Sequence, residues 1–159
     1  MSEYRKMLGL VTLGLFLATV PSAVAATPSE DLSKTPAAVQ ETVKKAIGKH
    51  ALAGVDKETD GGKTVYEVDY KVGDASYAVV VSEAGEILEH EVTIDPSALP
   101  AAAVEAAHKA HADGKVGEID IVAAGGKLYY EIDVKVGKET YEMKINADGS
   151  VLADAIDKD

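Results

Sequence analysis

The sequence has no cysteine and no tryptophan, and phenylalanine occurs once in 159 residues. Without cysteine there are no disulfides and no thiolate metal sites. A small fold without those staples must rely on pooled apolar packing. Positive charge is also scarce. Sixteen lysines and arginines face 27 aspartates and glutamates, for a net charge of −11. Such a surface repels phosphate backbones and anionic headgroups, which argues against nucleic acid and favours a basic partner or a cation. Long apolar runs are missing too, with one exception. Met7 to Val20 is uncharged and apolar, follows Arg5 and Lys6, and is broken by Pro21. It is too short to span a bilayer, and Ala23-Val24-Ala25-Ala26 offers small residues for cleavage. Residues 1–26 therefore read as a signal peptide, which predicts a periplasmic or secreted mature chain with no membrane span. Residues 27–34 read as a flexible polar lead-in.

What the chain does have is a duplication. The stretch GGKTVYEVDYKVGDASYAVVVSEAGEIL starts at Gly61 and returns as GGKLYYEIDVKVGKETYEMKINADGSVL from Gly125, an ungapped offset of 64. Each copy follows a short amphipathic segment. In the first, Val39, Val43, Ala46 and Ile47 share one helical face, with Ser33 or Thr35 as a cap and Pro36 in the first turn. The second, Ala98 to Ala112, is alanine-rich with a small apolar face. Val55 to Thr59 and Ile119 to Val122 read as short first strands.

Strict alternation then marks hairpins. Gly73-Asp74 as a two-residue turn sets Tyr70 against Tyr77, Val68 against Val79 and Tyr66 against Val81. Gly137-Lys138 sets Val134 against Tyr141, Ile132 against Met143 and Tyr130 against Ile145. Every pair is apolar, so a one-residue slip is penalised. The fold class is α+β: two tandem copies of a helix followed by about four antiparallel strands, the helix packed on one sheet face. The boundaries are residues 35–94 and 95–159.

These residues resemble a PepSY domain. The segment PAAVQETVKKAIGKH, the Tyr66-Glu67-Val68-Asp69 strand, the glycine-centred hairpin and the closing Gly85-Glu86-Ile87-Leu88 carry the likeness. Pro100, Tyr130-Glu131-Ile132-Asp133, Gly137 and Asp148-Gly149 repeat it. More narrowly, the chain is similar to the β-lactamase-inhibitor-like PepSY group. The resemblance implies a non-enzymatic secreted protein with no cofactor, which restrains a peptidase or other hydrolase through a sheet surface.

The alternation also names that surface. On the row away from the helices stand Glu67, Asp69 and Val80 in the first copy, and Tyr129, Glu131, Asp133, Glu142 and Lys144 in the second. Glu131 faces Lys144, while Asp133 faces Glu142 as an unfavourable like-charge pair. These eight residues, including an exposed tyrosine, form the candidate partner surface. His108 and His111 lie one helical turn apart, but two imidazoles without a third ligand do not make a zinc or copper site. Asn146-x-Asp148-Gly149 lacks the alternating acids of a calcium loop. Gly61-Gly62-Lys63 precedes a strand, not a helix, and is a turn instead of a phosphate cradle. No nucleophile stands with a base at a catalytic spacing. Two other classes stay open: a periplasmic metal-ion or small-ligand binder, and a self-associating structural module with exposed strand edges.

Overall fold

The computed structural model describes residues 31–157. The signal-peptide segment lies outside the described residues, as does the start of the lead-in. Leu32–Lys34 forms a single 3-10 turn, and Leu32 packs against the first core cluster.

Helix α1 spans Ala37–Ile47. It is followed by strands β1 (Ala51–Asp60), β2 (Lys63–Val72), β3 (Ala75–Ser82) and β4 (Ile87–Thr93). A short turn leads to helix α2 (Ala101–Ala110), then to β5 (Lys115–Ala124), β6 (Lys127–Val136), β7 (Glu139–Ile145) and β8 (Val151–Ile156). Both hairpin registers read from alternation are present, with Val68 opposite Val79 and Ile132 opposite Met143.

The expected architecture of two tandem copies, each a helix packed on its own sheet face, needs correction. All eight strands form one continuous antiparallel sheet in chain order. The join is β4 to β5, which pair from Glu89 with Ala124 to Thr93 with Asp120. The physical reason is edge removal. Separate four-stranded sheets would expose unpaired N–H and C=O groups along β4 and β5, and pairing satisfies both rows. Sequence alternation reports which side chains share a face but says nothing about which strand completes an edge.

Smaller corrections follow. β1 is twice the length expected, because its burial pattern is irregular and only Gly54 and Val55 are buried. Neither Ser33 nor Thr35 caps α1; Pro36 takes the N-cap position without a side-chain bond. The Thr35 hydroxyl instead donates to the Leu32 carbonyl at 2.9 Å. Helix α2 is shorter than predicted, since Pro96–Ala98 forms a separate 3-10 turn.

Two apolar clusters fill the helix side. Val39, Val43 and Ile47 of α1 pack on Val55, Tyr66, Val68, Val79 and Val81. Ala103 and Ala107 of α2 pack with Leu99, Ile119, Ile132, Val134, Met143 and Ile145. The β3–β4 turn approaches α1 so closely that a Cβ on Gly85, at φ +84°, would lie 2.8 Å from the Ala38 carbonyl oxygen. The Thr42 hydroxyl donates to the Gly85 carbonyl at 2.7 Å. Gly149 repeats this at φ +83°, 2.6 Å from the Ala102 oxygen. Both positions require glycine for backbone conformation and for space.

The sheet is bent. Its register shifts between Leu52 and Gly54, Val80 and Val81, Val116 and Ile119, and Lys144 and Ile145. Such bulges increase twist and curve a sheet. They recur at equivalent places in the two copies, so the curvature accumulates. It brings residues of β1 and of β8 to the walls of one hollow on the side away from the helices.

Candidate functional site

The hollow is a cleft of about 510 Å³. Its walls carry Glu58 and Asp60 of β1, Glu67 of β2, Glu89 and Glu91 of β4, Glu118 and Asp120 of β5, Glu131 and Asp133 of β6, Glu142 of β7, and Asp157 just past β8. Among the described residues Lys144 is the only basic one lining it. Part of the floor is apolar, since Val65 and Val80 line it and both are buried.

Direct cross-strand pairing puts like charges against each other. Asp56 faces Glu67, Asp120 faces Glu131, and Asp133 faces Glu142. Directly opposed like charges are destabilising. Partial burial adds a desolvation cost. Together these push the carboxyls upward. Burial, then the neighbouring Glu131 and Asp120, raises Glu91 to about 8. Burial, then Glu142, raises Glu131 to about 7, against the opposing pull of Lys144. Burial, then Asp157 and Glu118, raises Asp133 to about 6. Asp69 and Asp120 are also raised, chiefly by burial. Glu67 is pushed well above the carboxylate range by burial and by a shared hydrogen bond with Glu58.

The second half of the cleft holds its own counter-charge. Lys144 Nζ lies 3.1 Å from Glu131 Oε2 and 3.3 Å from Glu142 Oε1. It also lies 5.8 Å from the centre of the Tyr129 ring. Burial alone would lower the Lys144 pKa, but Glu131 and Glu142 more than offset that and hold the ammonium charged. Among the described residues the first half of the cleft has no such cation. Val80, opposite Glu67, occupies the place that Lys144 takes opposite Glu131.

The structure thus gathers Glu67, Val80, Glu131, Asp133, Glu142 and Lys144 around one cleft. Asp69 and Tyr129 stand on the same sheet face by register but do not line the cleft. The expected exposed tyrosine is a further correction. Tyr129 is only 9% exposed, and its hydroxyl donates to Glu89 Oε2 at 3.2 Å across the β4–β5–β6 junction. Seven acids escaped sequence reasoning: Glu58, Asp60, Glu89, Glu91, Glu118, Asp120 and Asp157. The spacings Glu89-x-Glu91 and Glu118-x-Asp120 were visible signals, but they acquire meaning only once β4 is known to pair with β5.

His108 and His111 do not act together. His108 is exposed, whereas His111 Nε2 sits 2.9 Å from Asp154 Oδ1 and its ring lies 4.3 Å from that of Tyr141. The Asn146–Ser150 turn is closed by its own side chains, with the Ser150 N–H donating to Asp148 Oδ1 at 2.9 Å. Among the described residues no three His, Asp or Glu side chains are grouped to hold a metal ion. No described helix is long and apolar enough to cross a membrane.

Comparison with known proteins agrees with this architecture. Residues 100–153 match the family profile described as PepSY, peptidase propeptide and YPEB domain. No curated protein matches the chain. Among solved structures, a candidate periplasmic protein from Bacteroides eggerthii superposes with a TM-score of 0.56 at 20% identity, covering 77% of this chain and 88% of its own. A DUF2874 family protein from Bacteroides uniformis gives 0.55 at 16% identity, covering 77% and 89%. A BLIP-like protein from Bacteroides fragilis gives 0.51 at 16% identity, covering 79% and 88%. At these identities the likeness establishes the fold.

Proposed function

We propose that this chain is a periplasmic or secreted, non-catalytic binding protein that restrains an envelope or extracellular peptidase or other hydrolase. Its concave acidic sheet face takes a basic surface of that partner. The observation that carries this reading is the cleft itself: eleven carboxyls and one lysine around a partly apolar floor, opposite the helix-covered face. Binding surfaces combine an apolar centre with charges that set partner and orientation. The peptidase-propeptide profile and the BLIP-like neighbour support the choice of a hydrolase as partner. The leader-like residues before Thr27 support the compartment.

The test compares capture of envelope proteins by the chain lacking residues 1–26 with capture by a Glu67→Gln, Asp69→Asn, Glu131→Gln, Asp133→Asn variant. A hydrolase recovered only by the unaltered face, and slowed by it in a turnover assay, is the expected result. Recovery of the same proteins by both would sink the acidic-face reading.

A further inference from the structure

The two halves of the cleft provide an internal comparison. In the second half Glu131 is met across the strand pair by Lys144, whose ammonium lies over the Tyr129 ring and also reaches Glu142. In the first half Glu67 occupies the equivalent place, and Val80 stands opposite it. Val80 is flanked on its other side by Glu89 of β4. Three acids, Glu67, Glu89 and Glu91, therefore surround a valine floor, and among the described residues none of them makes an ion pair with a cation. A lysine side chain suits both parts, an aliphatic stem for valine and an ammonium for carboxylates.

We infer that Glu67, Val80 and Glu89 form a subsite for a lysine side chain presented by the partner protein, seated as Lys144 is seated in the second half. The inference rests on the binding role proposed above and adds which residue of the partner is recognised, and where. The groups facing Glu67 are Asp56 and Glu58 on β1, Asp69 on its own strand, and Glu89 and Glu91 on β4, with none from β3. All are acids; Lys71 draws on Asp69 and Lys144 on Glu91, whereas the charges acting on Glu67 itself are all negative. Burial and Glu58 push the Glu67 carboxyl upward, and an ammonium seated against it pulls it back down, so docking releases protons. Affinity should then rise with pH between about 6 and 9, while lysine itself stays charged.

The test uses a fluorescein-labelled peptide alternating lysine and threonine, its lysine-acetylated form, and 1,5-diaminopentane as competitor, read by fluorescence anisotropy. The unaltered protein should bind the lysine peptide and ignore the acetylated one. Val80→Lys supplies the missing cation internally and should weaken peptide binding about tenfold or more. Val80→Met, of similar length but neutral, separates bulk from charge and should weaken binding less than Val80→Lys does. Glu67→Gln should weaken binding and flatten its rise with pH, leaving only the part that Glu91 contributes, and it decides the matter if Val80→Lys does not fold. If Val80→Lys folds and binds like the unaltered protein, the subsite is wrong. The acidic-face reading then survives only if the fourfold neutralised variant still loses the peptide. If diaminopentane competes as well as the peptide does at equal ammonium concentration, the site takes free amines and the partner assignment is overturned.

Discussion

The two halves of the molecule share a fold but divide the work of filling it differently. In the first half the helix brings bulk, with Val39, Val43 and Ile47 against the valines Val55, Val68, Val79 and Val81. In the second half the helix brings Ala103 and Ala107, and the sheet brings Ile119, Ile132, Met143 and Ile145. Each pair is related by the offset of 64, so Val43 corresponds to Ala107 and Val79 to Met143. Methyl groups lost from the helix reappear on the strands. The space between the two layers is the constrained quantity, and either layer can fill it. The cleft face shows the opposite behaviour. There Val65, Ala78 and Val80 become Tyr129, Glu142 and Lys144, and no trade preserves charge or volume. Differences on the helix side compensate; differences in the cleft do not, and those are the ones that bear on recognition.

The strongest test of the comparison is to damage each half at its tightest contact. Gly149→Ala would place a Cβ 2.6 Å from the Ala102 oxygen at φ +83°, and Gly85→Ala one 2.8 Å from the Ala38 oxygen at φ +84°. Each should cost roughly 2–4 kcal/mol, from backbone strain plus a steric clash. Gly61→Ala, at φ +54° with open space around it, should cost about 1 kcal/mol. Urea unfolding followed by circular dichroism should show one transition in all three variants, because β4 and β5 tie the halves into one sheet. Two separated transitions in Gly149→Ala would show instead that each cluster unfolds with its own strands.

Next in size is the pH response of the cleft. A carboxyl raised in the folded state binds more protons there than in the unfolded chain, so stability falls as pH rises through the interval between the two values. Glu91 near 8, Glu131 near 7 and Asp133 near 6 place that fall between about pH 4 and 8. The exposed acids lowered by hydrogen bonds, Asp31, Asp95 and Asp148, act with opposite sign and only on the acid side of that interval. The halves should differ, because Lys144 relieves Glu131 whereas no cation pairs with Glu67. Glu67→Gln should therefore stabilise the protein by roughly 1–3 kcal/mol at about pH 8 and flatten the fall. Glu131→Gln should gain less, since it also strands the Lys144 ammonium. Urea midpoints at the two pH values decide this. An equal gain from both substitutions would remove the asymmetry.

Much of the local structure was legible because it follows from short-range rules. Turn glycines and period-two alternation gave both hairpin registers down to Glu131 opposite Lys144. The α1 face appeared from Val39, Val43 and Ile47. The single sheet was not legible. Nothing in Ile87–Thr93 or Lys115–Ala124 taken alone marks them as partners, and the contact between them is set by edge satisfaction across an intervening helix. The site was legible in proportion. Glu67, Glu131 and Asp133 came from one hairpin each. Glu89, Glu91 and Asp120 needed the junction, and so did the burial of Tyr129, whose hydroxyl crosses it to Glu89.

The packing trade itself can be broken by two substitutions. Ala107→Val adds two methyl groups to a position that is only 2% exposed and shares a cluster with Met143. Overpacking there should cost roughly 1–2 kcal/mol. Met143→Val alone opens a gap on the strand side and should cost about 1 kcal/mol or slightly more. Made together, the two changes reproduce the Val43–Val79 pair of the first half, and they should cost less than their sum by about 1 kcal/mol. The reciprocal pair, Val43→Ala with Val79→Met, should show a coupling of the same sign. Simple additivity in both cycles would mean that helix and sheet do not share one filled volume. Coupling in one half alone would mean that the halves differ in how far their layers can move together, because a gap that collapses on its own needs no compensating methyl group.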